Sequence, residues 1–153
     1  MHELSPSERR LLDAMQKDTS LSQIDLAELS GKSRTSVWRW IRDVEEAGVI
    51  DRKVALLNPR ELGLQIHVVL SVSMVMHSDQ TRKEFEDHVQ GLPEVMECYS
   101  VSGDRDYLMI ILSRDMESYN EFLNTQILDH PSVHSASSSF ALRRVKYTTA
   151  LPI

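Results

Sequence analysis

The segment from residue 31 to residue 53 constrains the fold of this chain more than any other part of its sequence. When its residues are placed about 100° apart around a helix axis, they form one apolar stripe. The stripe consists of Val37, Ile41 and Val44. The opposite face carries Thr35, Trp38, Arg39 and Arg42. From Lys32 to Arg42 there are four basic residues and no acidic residue. This pattern predicts an amphipathic helix with a basic outer face, ending at Gly48.

A short helix with a basic face has the shape and charge that insertion into a DNA major groove requires. The residues alone leave open a solvated surface helix with an ordinary core stripe, because such charge runs are common. Residues 5–8 predict the start of a first helix, with Ser5 as N-cap, and residues 22–29 predict a second. Gly31 then makes a turn and Ser33 caps the basic helix, which is the order of a helix-turn-helix.

Two apolar segments follow the basic helix and predict a small wing. Val49-Ile50 and residues 54–57 are β-type segments around the polar turn Asp51-Arg52-Lys53. Asn58-Pro59 closes the unit. We therefore expect a DNA-binding domain over residues 1–60 and a second domain over residues 61–153.

The distribution of charge reconciles a net charge of −6 with DNA binding. The first 60 residues carry ten basic and ten acidic side chains, so the whole acidic excess lies in residues 61–153. An acidic second half weakens non-specific binding to DNA. The chain contains no apolar run near 18 residues and no secretory signal, and its single cysteine, Cys98, cannot form an internal disulfide. These features predict a cytoplasmic protein without a membrane partner, in which Cys98 is a buried thiol.

The second half changes to an alternating pattern typical of a sheet. It predicts strands over 65–76, 95–101, 107–112 and 133–145, helices over 79–90 and 116–128, and a β-like tail over 147–153. The order β-α-β-β-α-β is the ferredoxin-like arrangement, so the fold class is α+β. Two helices cover one sheet face, and the open face around Met74, Val75 and Met76 predicts a homodimer.

Three groups of residues invite a catalytic interpretation that the sequence does not favour. Asp104 and Asp106 form either a catalytic or metal-binding pair or the polar residues of a β-turn. The serines at 135 and 137–139 lack a nucleophile elbow, and the six histidines lack metal-ligand spacing. No phosphate-binding or dinucleotide-binding motif occurs. We expect no catalytic residue, no metal site and no cofactor.

Taken in order, six segments resemble the leucine-responsive/asparagine-regulator (Lrp/AsnC) family of transcription factors. They are residues 22–28 (SQIDLAE), 42–50 (RDVEEAGVI), 55–63 (ALLNPRELG), 93–95 (PEV), 101–108 (VSGDRDYL) and 137–153 (SSSFALRRVKYTTALPI). The resemblance covers nearly the whole chain. It implies an N-terminal winged helix-turn-helix that binds a pseudo-palindromic operator. It also implies a second domain that senses an amino acid, dimerises through its sheet and assembles to an octamer.

The resemblance also assigns residues to two sites. Its DNA contacts carry over to Ser33, Thr35 and Arg42, and helical geometry adds Arg34, Trp38 and Arg39. Lys32, where the family has an apolar residue, and Ser36 complete the set. The family's Gly-Asp-x-Asp-Tyr hairpin implies an effector site between the regulatory domains of adjacent dimers. The site consists of Gly103, Asp104, Asp106 and Tyr107, with Ser137, Ser138 and Ser139 on the last strand. Trp40, where the family often has a basic residue, lies beside the apolar stripe.

The sequence therefore predicts a cytoplasmic, nucleoid-associated prokaryotic regulator that responds to a leucine-, methionine- or cysteine-like amino acid. Two other classes of protein remain as alternatives. One is an amino-acid-binding assembly module whose winged helix contacts protein instead of DNA. The other is a small enzyme on a ferredoxin-like sheet.

Overall fold

The computed structural model describes residues 4–153, which form two compact units. The first unit contains the residues up to Leu56 together with Lys146–Ile153, and the second contains Leu57–Val145. The final eight residues thus belong to the first unit, whereas the sequence analysis assigned them to the second domain. The physical reason is a pair of hydrogen bonds between the backbone of Leu151 and the side-chain amide of Gln16.

Three helices form the body of the first unit. They are α1 (Pro6–Lys17), α2 (Gln23–Ser30) and α3 (Arg34–Glu46). As predicted, Ser5 caps α1: its backbone N–H donates to the Glu8 carboxylate over 2.8 Å, and its hydroxyl accepts from the Glu8 N–H. The core between the helices consists of Leu11, Leu12, Met15, Leu26, Val37, Trp40 and Val44.

The predicted wing has no β-ladder. Residues 49–57 form no strand, and Val54, Leu56 and Leu57 are exposed. Two such short segments lack the neighbouring strands that an isolated hairpin needs for stability. The β-like tail predicted over 147–153 likewise forms no strand.

The second unit confirms the predicted ferredoxin-like order. Its elements are β1 (Ile66–Met74), α4 (Asp79–Gln90), β2 (Val95–Ser100), β3 (Tyr107–Ser113), α5 (Met116–Phe122) with a π-helical continuation over Leu123–Leu128, and β4 (Val133–Phe140). The strands form one antiparallel sheet in the order β2-β3-β1-β4. Strand β4 ends at Phe140, short of the predicted Val145, because its partner β1 begins at Ile66 and pairing stops with the Ala141–His67 hydrogen bond.

Alternation along the strands gives the sheet two different faces. The face under the helices carries Val68, Leu70, Val72 and Met74 of β1, which pack with Phe85, Val89, Tyr119, Phe122 and Ile127. Met74 is thus buried beneath the helices, while Val75 and Met76 are exposed beyond the end of β1. Cys98 is exposed, contrary to prediction, because β2 is an edge strand.

Candidate DNA-binding helix and effector loop

The core contacts of α3 determine which of its side chains point to solvent. Val37, Trp40 and Val44 are buried against α1 and α2. Gly31, at φ +67°, makes the turn from α2, and the Ser33 hydroxyl caps α3 by accepting a 3.2 Å hydrogen bond from the Ser36 N–H. The first turn of α3 contains no acidic residue, so its positive helix dipole is not offset locally.

The predicted DNA-contacting residues lie on the solvent-exposed part of α3 or, for Lys32 and Ser33, just before its first residue. All of them are exposed except Lys32, which is half-buried with its ammonium 4.0 Å from the Glu8 carboxylate. Within residues 4–153, Arg34 and Arg39 form no ion pair. This face therefore presents two unneutralised guanidinium groups to solvent.

Arg42 is constrained by two neighbours on α3, Glu46 and Trp38. Its Nη2 donates a 2.9 Å hydrogen bond to Glu46, and this bond raises the pKa of Arg42. Its guanidinium carbon also lies 5.2 Å from the centre of the Trp38 ring, within cation–π distance. Both partners are four residues from Arg42, so helical spacing contained the signal for this arrangement.

The two tryptophans of α3 have different environments. Trp40 is 7% exposed and belongs to the core, as its position beside the apolar stripe predicted, whereas Trp38 is 47% exposed. Trp38 is thus the aromatic residue available to a ligand of α3.

The predicted effector loop, residues 101–106, joins β2 to β3 and is fastened to the end of β1. The Asp106 N–H donates to the Val72 carbonyl over 2.9 Å. The Asp106 carboxylate accepts a 2.8 Å bond from the Met74 N–H and lies 3.1 Å from Nδ1 of His77. Asp106 therefore holds the loop in place, and its carboxylate is already occupied.

Gly103 and Asp104 lie at the exposed part of this loop. Gly103 has a φ of +120°, which side-chain-bearing residues rarely adopt, and a Cβ there would meet no atom within 4 Å. Its requirement for glycine is thus conformational and does not arise from crowding within the chain.

Tyr107 is the first residue of β3 and is not part of the exposed loop. Its side chain is 2% exposed and lies on the helix face of the sheet, with its ring centroid 4.9 Å from that of Phe85. Its hydroxyl donates a 2.7 Å hydrogen bond to Glu86. Burial is the main cause that raises the pKa of Tyr107, and the hydrogen bond to the Glu86 carboxylate raises it further. The Tyr107 hydroxyl therefore remains protonated. Tyr107 therefore packs the core beneath the loop.

The structure separates the three predicted effector serines. Ser137 and Ser139 pair with Ser71 and Val69 and lie on the open sheet face. Ser138 lies on the helix face, with its Oγ 2.5 Å from the Tyr119 hydroxyl. Ser135, which pairs with Ser73 near the effector loop, is closer to it along β4. At about 3.3 Å per residue, Ser137 lies about 7 Å and Ser139 about 13 Å farther along the strand.

Sequence reasoning missed Arg105, Ser73 and Ser135 beside the loop. The Arg105 Nη1 lies 3.2 Å from the Ser73 hydroxyl and 3.5 Å from that of Ser135. Strand alternation would have grouped Ser135 with Ser137, but the contact of Arg105 with two strands depends on tertiary structure.

Neither a metal-binding cluster nor a membrane-spanning helix is found in the described part of the chain. No group of three or more His, Cys, Asp or Glu residues within 4–153 is arranged to hold a metal ion. No helix in that range is long and apolar enough to span a membrane.

Family models match both units. A winged helix-turn-helix DNA-binding model matches residues 4–51, and a model described as the Lrp/AsnC ligand binding domain matches residues 67–151. The chain belongs to the Lrp/AsnC family. As in other Lrp/AsnC proteins, the helix-turn-helix of residues 4–51 makes it a DNA-binding transcriptional regulator.

Relatives of this Lrp/AsnC protein extend over its full length. It is 35% identical over 150 residues to the DNA-binding transcriptional activator DecR of Escherichia coli, covering 98% of this chain and 99% of that protein. An AsnC family transcriptional regulator from Agrobacterium tumefaciens matches with a TM-score of 0.92 at 38% identity, covering 97% of each chain. A Neisseria meningitidis transcriptional regulator, crystallised as its L-Met complex, matches with a TM-score of 0.94 at 30% identity, covering 98% of this chain and 97% of that one. These relatives are named as regulators and not as enzymes, and they do not favour the protein-contacting assembly module.

Proposed function

We propose that the exposed face of α3 holds an operator and that a small amino acid bound at the effector loop changes the affinity for that operator. The observation that carries the proposal is the exposed basic face of α3, on which Arg34 and Arg39 have no acidic partner within residues 4–153. Such cations bind phosphates or the N7 and O6 atoms of guanine without first breaking an internal ion pair.

The first turn of α3 adds to this proposal. Unpaired backbone N–H groups and the helix dipole favour an anion at a helix N-terminus. Ser33, Thr35 and Ser36 lie there beside Arg34, and all four are exposed. In the proposed complex this turn contacts the DNA backbone, while Trp38, Arg39 and Arg42 extend along the groove, with Lys32 at the edge of the contact.

The effector site in this proposal consists of the exposed loop at Gly103 and Asp104 with the open-face hydroxyl of Ser137. Backbone groups of the loop bind the ends of a zwitterion, and the Asp104 carboxylate accepts from its ammonium. Asp106, Tyr107 and Ser138 support the site from beneath, since each side chain already has a partner. The L-Met complex of the Neisseria meningitidis relative supports a methionine-, leucine- or cysteine-like effector.

Assembly through the open sheet face completes the proposal. Tyr99, Leu108 and Ile110 lie on this face, and Tyr99 is 52% exposed. An isologous dimer through it places two copies of α3 on a pseudo-palindromic operator, in a cytoplasmic and nucleoid-associated protein. Four such dimers give the octamer expected of the family.

A thermal-shift screen with the twenty amino acids, followed by operator titrations, tests this function. A ligand that binds only the native state raises the melting temperature. We expect one small apolar or sulfur-containing amino acid to stabilise the wild-type protein and to change its affinity for DNA that it selects from random sequence. Asp104→Asn is expected to lose the thermal shift, whereas Asp87→Asn, the same change on exposed α4, is expected to retain it. A protein that selects no DNA, or that none of the twenty amino acids stabilises, would contradict the proposal.

A further inference from the structure

Arg105 is the one arginine in the effector loop, and its exposed guanidinium contacts side chains on two strands. The residue that follows it, Asp106, is held to β1 by the hydrogen bonds to Val72 and Met74. The Nη1 of Arg105 contacts the hydroxyls of Ser73 on β1 and Ser135 on β4. These contacts direct the guanidinium towards the ends of β1 and β4.

These two contacts leave most of the guanidinium available. A guanidinium has five N–H donors, and only those on Nη1 contact the serine hydroxyls. Among residues 4–153, Arg105 forms no ion pair, because the neighbouring Asp106 carboxylate is directed to Met74 and His77. Hydroxyl partners orient the cation without neutralising its charge.

Asp104 and Arg105 are consecutive residues, so the exposed loop carries both a carboxylate and a guanidinium. Asp104 is exposed, like Arg105. An α-amino acid carries the complementary pair of charges, an ammonium and a carboxylate, on the same carbon atom. A guanidinium binds a carboxylate through two parallel N–H···O bonds, which gives directional specificity as well as affinity.

We propose that Arg105 is the carboxylate-binding residue of the effector site, with Ser73 and Ser135 as the positioning residues of its guanidinium. This inference rests on the proposed function and deepens it, because it assigns the two ends of the effector to different side chains. The ammonium binds at Asp104 and the carboxylate at Arg105. The effector class is thereby an amino acid with a free α-carboxylate, and amines or carboxamides of the same side chain bind more weakly.

The test compares acids with their carboxamides in calorimetric titrations of the full-length protein. The probes are L-methionine, L-leucine and L-cysteine, each beside its carboxamide. Wild-type protein is expected to bind at least one of the acids. Its affinity for the matching carboxamide is expected to be lower by about tenfold or more. Arg105→Gln is expected to lose about tenfold or more in affinity for the acid and to lose the discrimination between acid and carboxamide. Arg105→Lys keeps the charge but not the paired donors, so an intermediate loss is expected.

Arg114→Gln, which removes an exposed arginine outside the loop, is the matched control and is expected to bind the acid as the wild type does. A loss of discrimination in Arg105→Gln with an unchanged melting temperature supports the assignment over a merely structural role. If the wild type binds an acid and Arg105→Gln keeps both the affinity and the discrimination, the carboxylate assignment is overturned while the proposed function stands. If no amino acid binds the wild type, both are overturned.

Discussion

The guanidinium of Arg42 lies over the indole ring of Trp38, with its central carbon 5.2 Å from the ring centroid. The two residues are one helical turn apart on the exposed face of α3. On the next turn Glu46 binds the same guanidinium over 2.9 Å. In the free protein Arg42 is therefore held by an aromatic ring and by a carboxylate, and in the proposed complex this carboxylate would compete with DNA for it.

We expect Glu46→Gln to tighten DNA binding. The substitution removes the competing carboxylate and leaves the contact with Trp38, and the exposed ion pair suggests a gain of about twofold to fivefold. Fluorescence anisotropy with a selected DNA fragment measures it. Glu28→Gln removes the same charge from an exposed α2 residue, so an equal gain in that control would attribute the effect to net charge alone.

Exchanging the serines of β4 is expected to separate stability from effector binding. Ser138→Ala leaves the buried hydroxyl of Tyr119 without its partner, which costs about 1–3 kcal/mol of unfolding free energy. Ser137→Ala, on the open face, is expected to weaken the effector's binding with little change in stability. Chemical denaturation and calorimetry measure the two effects, and a stable Ser138→Ala that fails to bind effector would refute this division of roles.

The Gln16 amide is expected to fasten the C-terminal segment to the first unit. It donates to the Leu151 carbonyl over 2.9 Å and accepts from the Leu151 N–H over 2.8 Å. Leu151 and Ile153 line an apolar groove of about 430 Å³ with Leu12 and Met15. Gln16→Ala is expected to cost about 1 kcal/mol and to speed hydrogen exchange at the Leu151 amide. In a chain ending at residue 149, Gln16→Ala is expected to leave the unfolding free energy unchanged. If the substitution costs as much in the shortened chain as in the full-length chain, the contact with Leu151 is not the source of the cost.

Mild acid is expected to destabilise the second unit through His130. Burial lowers the pKa of His130 below its ordinary value of 6.5, and the nearby His88 lowers it further against an opposing effect of Glu84. The unfolded chain thus binds a proton before the native protein does, so the stability present above pH 6.5 is lost as the pH falls towards the folded pKa. Burial also lowers the pKa of His67, so the protonation of this residue is expected to destabilise the native protein as well.

His130→Asn is the variant that tests this dependence. The Ser132 N–H donates to Nδ1 of His130 over 3.2 Å, and the carbonyl oxygen of an asparagine amide offers an acceptor in its place but does not titrate. Denaturation at pH 7.5 and pH 5.5 is expected to show a smaller loss in His130→Asn than in the wild type. His134→Asn, which removes an exposed histidine, is the control and is expected to lose as much stability as the wild type. If His130→Asn also loses as much as the wild type, another group is responsible for the pH dependence.

Local sequence rules predicted the helices because their signals are local. The capping box of Ser5 and Glu8 and the helical spacing of Val37 and Val44 need no knowledge of distant residues. The end of β4 at Phe140 depends on where β1 begins, which the sequence of β4 does not contain. The wing segments differ for the same reason, since a strand requires a partner.

Several residues predicted for the effector site have structural roles that the sequence did not indicate. The turn residues Gly103 and Asp104 lie exposed, as a polar loop should. Alternation alone would have placed Ser138 on the face opposite to Ser137 and Ser139, so this separation was available from the sequence. The partners of Asp106 and Arg105 lie on β1 and β4, about 30 residues away, and only the folded sheet brings them together.

The salt dependence of DNA binding by Arg39→Ala tests the central claim most directly. Arg39 is exposed on α3 and forms no ion pair within residues 4–153. If it contacts a phosphate, its loss weakens binding to all sequences and lowers the slope of log affinity against log salt by about one unit. Arg10→Ala, an exposed arginine of α1, is expected to leave that slope unchanged. A folded Arg39→Ala protein that binds its selected DNA with the affinity, sequence preference and salt slope of the wild type would contradict the assignment of α3 as the DNA-binding helix.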